Sequence, residues 1–384
     1  MAAAGFALSA GVAAASPYLP ADDASVLERV PERSDLERLA PLRAAVAAEP
    51  ENLRASLALA TGYIGIGRRN SDPRFIAHAR AVLSPWLSRP RTPEPVLVLE
   101  AITLQYLHQF DPALTRLEQA LALEPLDAQA WLTRATLLEL RGDYAGARRA
   151  CARLVRADDF SALTCLGSVA GRSGELAASY RALQVSSDLT PRVPAALRAW
   201  RSSVLAEMAE RLGDDRAAEA QLRAALQAAA DDPYLKAAYA DLLLRVGRAP
   251  EVIALLAGSE AQDPLLLRLA IAGSRLGSPE AVRWRLAYEE RLRAAERDRD
   301  NTHLREAAMY LLEVRGDAVA ALECAERNWA VQREPADLRI YARAAERAHA
   351  TADMAQIARW LRETRYEDRR LCALTGCGPL TETP

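Results

Sequence analysis

At 384 residues the chain is long enough for two or three ordinary domains, and 51% of it is hydrophobic. Aromatic residues make up only 5%, alanine and leucine supply most of the rest, and no run of alternating β-branched residues occurs. This composition describes an all-helical protein and excludes a sheet core. A formal net charge of −2 excludes a general nucleic-acid binder, which needs a net basic surface.

In chain order, residues 1–16 are apolar and end in an A-x-A pattern at Ala13–Ala15, as a secretory leader does, although the usual basic n-region is missing. The expectation is an exported, periplasmic chain whose mature form begins near Ser16. The alternative is an alanine-rich tail on a cytoplasmic protein. The stretch is shorter than the roughly 20 residues that cross a bilayer, and no other segment approaches that length. Residues 17–52 read as a proline-bearing linker followed by a lone amphipathic helix, Asp35 to Ala48, that caps what comes next.

From Leu53 a small residue followed by glycine seven positions later recurs down the chain. The pairs are Ala60–Gly67, Ala135–Gly142, Gly167–Gly174, Ala206–Gly213, Ala240–Gly247 and Ala270–Gly277. Histidine fills the glycine slot in Ala101–His108 and Ala342–His349, and Gly316 follows Met309 at the same interval. Such a period means stacked helix pairs. Small residues let paired helices approach, glycine ends the first helix in the left-handed conformation, and proline at the unit end prevents one long helix. Nine units span 53–368, and residues 369–384 form a C-terminal tail. The first unit carries a polar insertion, Arg68 to Asp72, before its second helix at Pro73. An insertion precedes Ala199, and the unit at 302–334 is weak.

The block 94–159 carries the fullest motif. Trp131, Ala135, Gly142, Tyr144 and Ala147 stand in order there, after Leu97, Ala101, Phe110, Ala113, Ala120 and Pro125. This pattern resembles the tetratricopeptide repeat family, and Ala206, Gly213, Ala218 and Ala225 repeat it later. The chain as a whole also resembles exported repeat proteins of proteobacteria, which implies no activity. The family resemblance implies a right-handed superhelical α-solenoid with the first helix of each pair lining a concave groove. It also implies a non-catalytic scaffold that binds a protein or peptide segment there.

Motifs for chemistry are absent. No G-x-S-x-G, phosphate loop or dinucleotide fingerprint occurs, so neither an enzyme nor a cofactor is expected. The four histidines, His78, His108, His303 and His349, lack metal-ligand spacing. Arg-Gly-Asp at 141–143 and 315–317 falls at inter-helix turns, where arginine suits a helix C-terminus and aspartate caps the next helix. Five cysteines make no complete disulfide framework, but Cys151 and Cys165 fall on adjoining helices of consecutive units, which leaves a disulfide or two buried thiols open.

One pattern points to a partner. Arg172, Arg211, Arg245 and Arg275 each stand two residues before a turn glycine, and Arg347 stands two before His349. By the resemblance these arginines line the groove with Trp200, Tyr234 and Tyr310, and their forks would pair with the carboxylates of an acidic segment. Two alternatives stand beside this. The arginines serve only the helix dipole, or Glu207 and Glu210 neutralise them internally. The rival function is an assembly factor for an envelope polysaccharide, which would use groove aromatics rather than charge.

Overall fold

The computed structural model describes residues 34–187, 193–297 and 302–376. Among these every regular element is helical. The leader and most of the linker lie outside them.

Helix α1 (Ser34–Ala48) is the expected cap, and Leu39 packs it onto the first unit. Nine pairs follow. They begin with α2 (Leu53–Asn70) and α3 (Pro73–Leu87), α4 (Glu94–Tyr106) and α5 (Phe110–Leu123), and α6 (Ala128–Leu140) and α7 (Tyr144–Arg153). The middle units are α8 (Asp159–Gly171) with α9 (Leu176–Ser187), α10 (Ala195–Leu212) with α11 (Asp215–Ala228), and α12 (Pro233–Arg245) with α13 (Ala249–Leu255). The last are α14 (Asp263–Leu276) with α15 (Ala281–Arg297), α16 (Leu304–Tyr310) with α17 (Ala318–Val331), and α18 (Pro335–Arg347) with α19 (Thr351–Thr364). A short helix, α20 (Arg369–Thr375), opens the segment expected as a tail. The fold is the expected α-solenoid.

The turn chemistry works as the spacing requires. Gly142, Gly213, Gly277 and Gly316 all take positive φ, between 62° and 82°. His108 and His349 adopt the same conformation at φ 55°, which a side chain tolerates at modest cost. In both Arg-Gly-Asp turns the aspartate caps the next helix, Asp143 accepting from Gly146 N and Asp317 from Ala320 N. Gly67 departs from the pattern. Helix α2 continues through the polar insertion to Asn70 and ends at Ser71, φ 50°. Gly67 instead admits Ile76, whose Cδ1 lies 3.0 Å from where a Cβ would stand. In the weak unit, α16 widens into a π-turn at Leu311–Arg315 before Gly316, which absorbs the irregular spacing.

The solenoid is wound tightly. Unit one meets the junction of units six and seven, where Gln262 Nε2, just before α14, donates to the Arg69 carbonyl at 2.8 Å. Unit three meets unit eight where Arg333 N donates to the Leu140 carbonyl at 2.7 Å. Unit three also meets unit nine where Tyr144 of α7 and Trp360 of α19 pack edge to face. The turn glycines Gly142, Gly174 and Gly213 face Arg333, Arg365 and Arg369 directly. These contacts join units five or six apart, so the coil closes on itself.

Cys151 and Cys165 are bonded, with Cα atoms 5.5 Å apart, and Cys372 is also in a disulfide. Cys324 is the free thiol among the described residues. Ala135 is 1% exposed and packs in the same apolar cluster as Ala147 and the Cys151–Cys165 pair. Ala135→Leu should therefore lower stability by roughly 1–3 kcal/mol. An unchanged thermal melt would show that the close contact is absent.

Candidate functional site

The tight winding turns the expected open groove into a lumen. A cavity of about 420 Å³ is lined by α10, α12, α14, α16 and α18, the first helices of units five to nine. Arg339 of α18 reaches Glu210 of α10 and closes the ring. Six arginines line the cavity, Arg245, Arg268, Arg275, Arg305, Arg339 and Arg343, with five carboxylates, Glu207, Glu210, Asp241, Glu313 and Glu334. Ile271, Met309, Ile340 and Tyr234 add apolar surface between them.

The charges form a ladder between successive units. Arg172 lies between Glu139, 3.2 Å away, and Glu207, 2.6 Å away. Arg245 pairs with Glu210 at 3.2 Å and with Asp215. Arg268 grips Asp241 through two bonds of 2.9 and 2.6 Å. Arg305 bridges Glu306 and Glu334, and Glu313 takes both Arg275 and Arg343. Burial would raise the Glu306 carboxyl, but Arg305 and Arg268 outweigh it and hold the group at about 2. Burial likewise opposes Arg172 and Arg211 at Glu207, and the arginines prevail, holding it below its ordinary value. At Glu139 burial wins over Arg172 and the carboxyl is pushed up. The lumen thus presents fixed charges and hydrogen-bond forks.

The arginine row is divided by the structure. Arg245 and Arg275 line the lumen as expected, and Arg275 also donates to the Leu244 carbonyl at 2.6 Å. Arg211 has no exposed surface. It donates to Glu207, to the Gly171 carbonyl and to the Glu367 carbonyl, and lies over the Tyr366 ring. It is a closing contact between turns of the coil, and so is its neighbour Arg172, 9% exposed. Arg347 is exposed and stands outside the cavity lining. The expectation that these three line a ligand groove is corrected, because the returning C-terminal unit covers the edge where Arg172 and Arg211 stand.

The aromatics divide as well. Tyr234 is in the lumen and 57% exposed. Tyr310 is not in the groove. It is a core residue, 3% exposed, packed on Tyr288 with its hydroxyl donating to Glu289. The π-turn beside it rotates the end of its helix. Trp200 packs against the apolar cluster around Cys151 and Cys165 instead of facing the cavity. Sequence reasoning missed Arg268, Arg305, Arg339 and Arg343. Its available signal was a charge set inside an apolar run, as in Leu-Leu-Leu-Arg268-Leu-Ala-Ile.

A second cavity of about 400 Å³ lies beside α15 and α17 and includes His303 and Cys324. Burial raises the Cys324 thiol above its ordinary value. Among the described residues no group of His, Cys, Asp and Glu could hold a metal ion, and no helix is long and apolar enough to cross a membrane.

Fold and lumen together define a helical-repeat scaffold. A family model described as tetratricopeptide repeat matches residues 98–162, the stretch with the fullest motif, and so supports the resemblance. No curated protein matches. Among solved structures, human IFIT1 as a dimer with PPP-AAAA is 13% identical, covering 85% of this chain and 78% of that one, with a TM-score of 0.48. The Cut9–Hcn1 hetero-tetramer of APC/C is 15% identical over 81% of this chain, with a TM-score of 0.44. This chain spans about half of that one, 52%. The TPR domain of P58(IPK) is 15% identical, covering 83% of this chain and 94% of that one, with a TM-score of 0.22.

The division of the arginines predicts opposite outcomes for two substitutions. Arg211→Ala should destabilise by roughly 3–5 kcal/mol, because it leaves Glu207 with Arg172 alone, strips two buried carbonyls of their donor and removes the cation over the Tyr366 ring. Arg347→Ala should stay within about 0.5 kcal/mol of the parent. Urea melts of both variants check this, and equal stabilities would contradict the assignment.

Proposed function

We propose that this chain is a non-catalytic scaffold that holds an extended, acidic protein or peptide segment in the lumen of units five to nine. The observation that carries the reading is the pairing at Glu313. One carboxylate there serves two partly exposed arginines, Arg275 and Arg343, whose side chains are 38% and 44% exposed. A ligand carboxylate entering beside them would meet two forks that share a single internal counter-charge. Tyr234 and the apolar patch of Ile271, Met309 and Ile340 would take neighbouring side chains. The volume suits a few residues of extended chain and excludes a folded domain.

An exported, periplasmic setting is part of the proposal. The Cys151–Cys165 disulfide supports it, since such bonds persist in oxidising compartments. A mature N-terminus near Ser16 in native material is the check, and an intact Met1 in the cytosol would remove it. Carbohydrate is a weaker ligand class here, because of the three aromatics expected in the groove only Tyr234 lines the lumen. No nucleic-acid partner is proposed, since carboxylates interleave the arginines throughout the cavity.

A random peptide library displayed on phage tests the reading. Enriched peptides should be acidic, and their affinity should fall with added salt. The double substitution Arg275→Ala with Arg343→Ala, built on Glu313→Gln so that no buried carboxylate loses its partners, should weaken them about tenfold or more while the melt stays close to that of Glu313→Gln alone. No enrichment, or affinity unchanged in the double variant, would overturn the proposal.

A further inference from the structure

The seam where unit nine returns onto units four and five is held by polar groups around an extended stretch, Tyr366 to Asp368, between α19 and α20. The Tyr366 ring lies under the Arg211 guanidinium, 4.4 Å from its centroid. Arg211 Nε donates to the Glu367 carbonyl at 3.0 Å, and the Glu367 carboxylate accepts from Leu176 N at 2.7 Å, at the start of α9. Asp368 accepts from Arg339 at 3.2 Å. Arg370 follows, donating to the Glu210 carbonyl and to Asp215, both at 2.7 Å. The returning chain thus lies as an aromatic residue followed by two acids across a surface built from arginines and a helix start.

That occupant fits incompletely. Arg339 Nη2, Tyr144 Oη and Tyr366 Oη are buried and make no hydrogen bond. Arg172 as a whole is 9% exposed, and the Tyr144 and Tyr366 phenols both feel its charge and that of Arg211. Buried polar atoms left unpaired weaken a docked state. Two of these donors, on Arg339 and Tyr144, belong to the receiving surface or its rim, and they suit a segment that brings more acceptor oxygens. Helix α20, seven residues long, cannot hold the segment in place by its own helicity.

We infer that this seam is a docking site for an extended partner segment carrying an aromatic residue followed by acidic ones, and that Tyr366–Asp368 fills it in cis. Binding of the partner and release of the C-terminal helix are then one event, which also opens the ring around the lumen. The inference rests on the reading of the chain as a segment-binding scaffold, but it concerns a different surface from the lumen.

The probe is a fluorescent nonapeptide with the sequence of residues 363–371, read by anisotropy against the full chain. Glu367→Ala with Arg370→Ala weakens the cis occupant and leaves Arg172, Arg211 and Arg339 in place. The apparent affinity of the peptide should then rise about tenfold over the parent, because the site stands empty more of the time. A peptide with alanine for its tyrosine and for the two acids that follow it should bind neither protein. Equal affinity of parent and variant, or equal binding of the alanine peptide, overturns the inference. A doubled mass of the variant by light scattering also overturns it, in favour of a second copy as occupant. If the variant does not fold, hydrogen exchange on the parent decides. Excess peptide should speed exchange at residues 369–375, the alanine peptide should not, and no change with either overturns the inference. Library peptides that still bind the lumen after such a failure would leave the proposed function standing.

Discussion

The structure depends on one closing interaction, the pairing of Glu210 in α10 with Arg339 in α18. A helical-repeat array ordinarily contacts only its neighbours. Here each turn of the coil also meets the next, four to six units on, and Glu210 stands at the centre of that meeting. It takes Arg245 from its own turn and Arg339 from the returning one, while its backbone carbonyl takes Arg370. Around it lie Arg211 under its cover of Tyr366 and the Arg172–Glu207 pair. Such buried ions are tolerated when they are paired, which explains why arginine, with five donors in a rigid fork, dominates the seam.

Closure changes what the repeat can bind. An open groove offers a long track to an extended partner, whereas this lumen offers about 420 Å³ and a ladder of charges already paired. On the proposed reading, specificity rests on the positions where pairing is uneven, above all the two arginines on Glu313. The seam closes the ring around the lumen, so on the proposed reading stability and binding are coupled through the same residues.

The local half of this arrangement was legible in the sequence. The glycine period placed nine helix pairs, and the two histidines in the glycine slot kept the same left-handed turn. The aspartates after Gly142 and Gly316 were readable as caps, and Cys151 and Cys165 as neighbours on adjoining helices. These features depend on residues within one or two units of each other. The seam does not. Nothing in the spacing of Arg211 tells that Glu367, 156 positions later, returns to cover it. A row of arginines at a fixed slot therefore looked continuous, although its first two members lie beneath the returning turn and the next two line the lumen. Gly67 and Tyr310 were misplaced for a smaller reason. One extra turn in α2 and one π-turn after α16 each shift the register by less than a unit, and periodicity averages over such shifts.

The closed ring is tested most directly by a double-mutant cycle on Glu210 and Arg339, residues 129 apart in sequence, with stability read from urea melts. The account predicts a coupling free energy of about 0.5–3 kcal/mol between Glu210→Ala and Arg339→Ala. Additive effects, with no coupling beyond error, would contradict it and return the chain to an open solenoid.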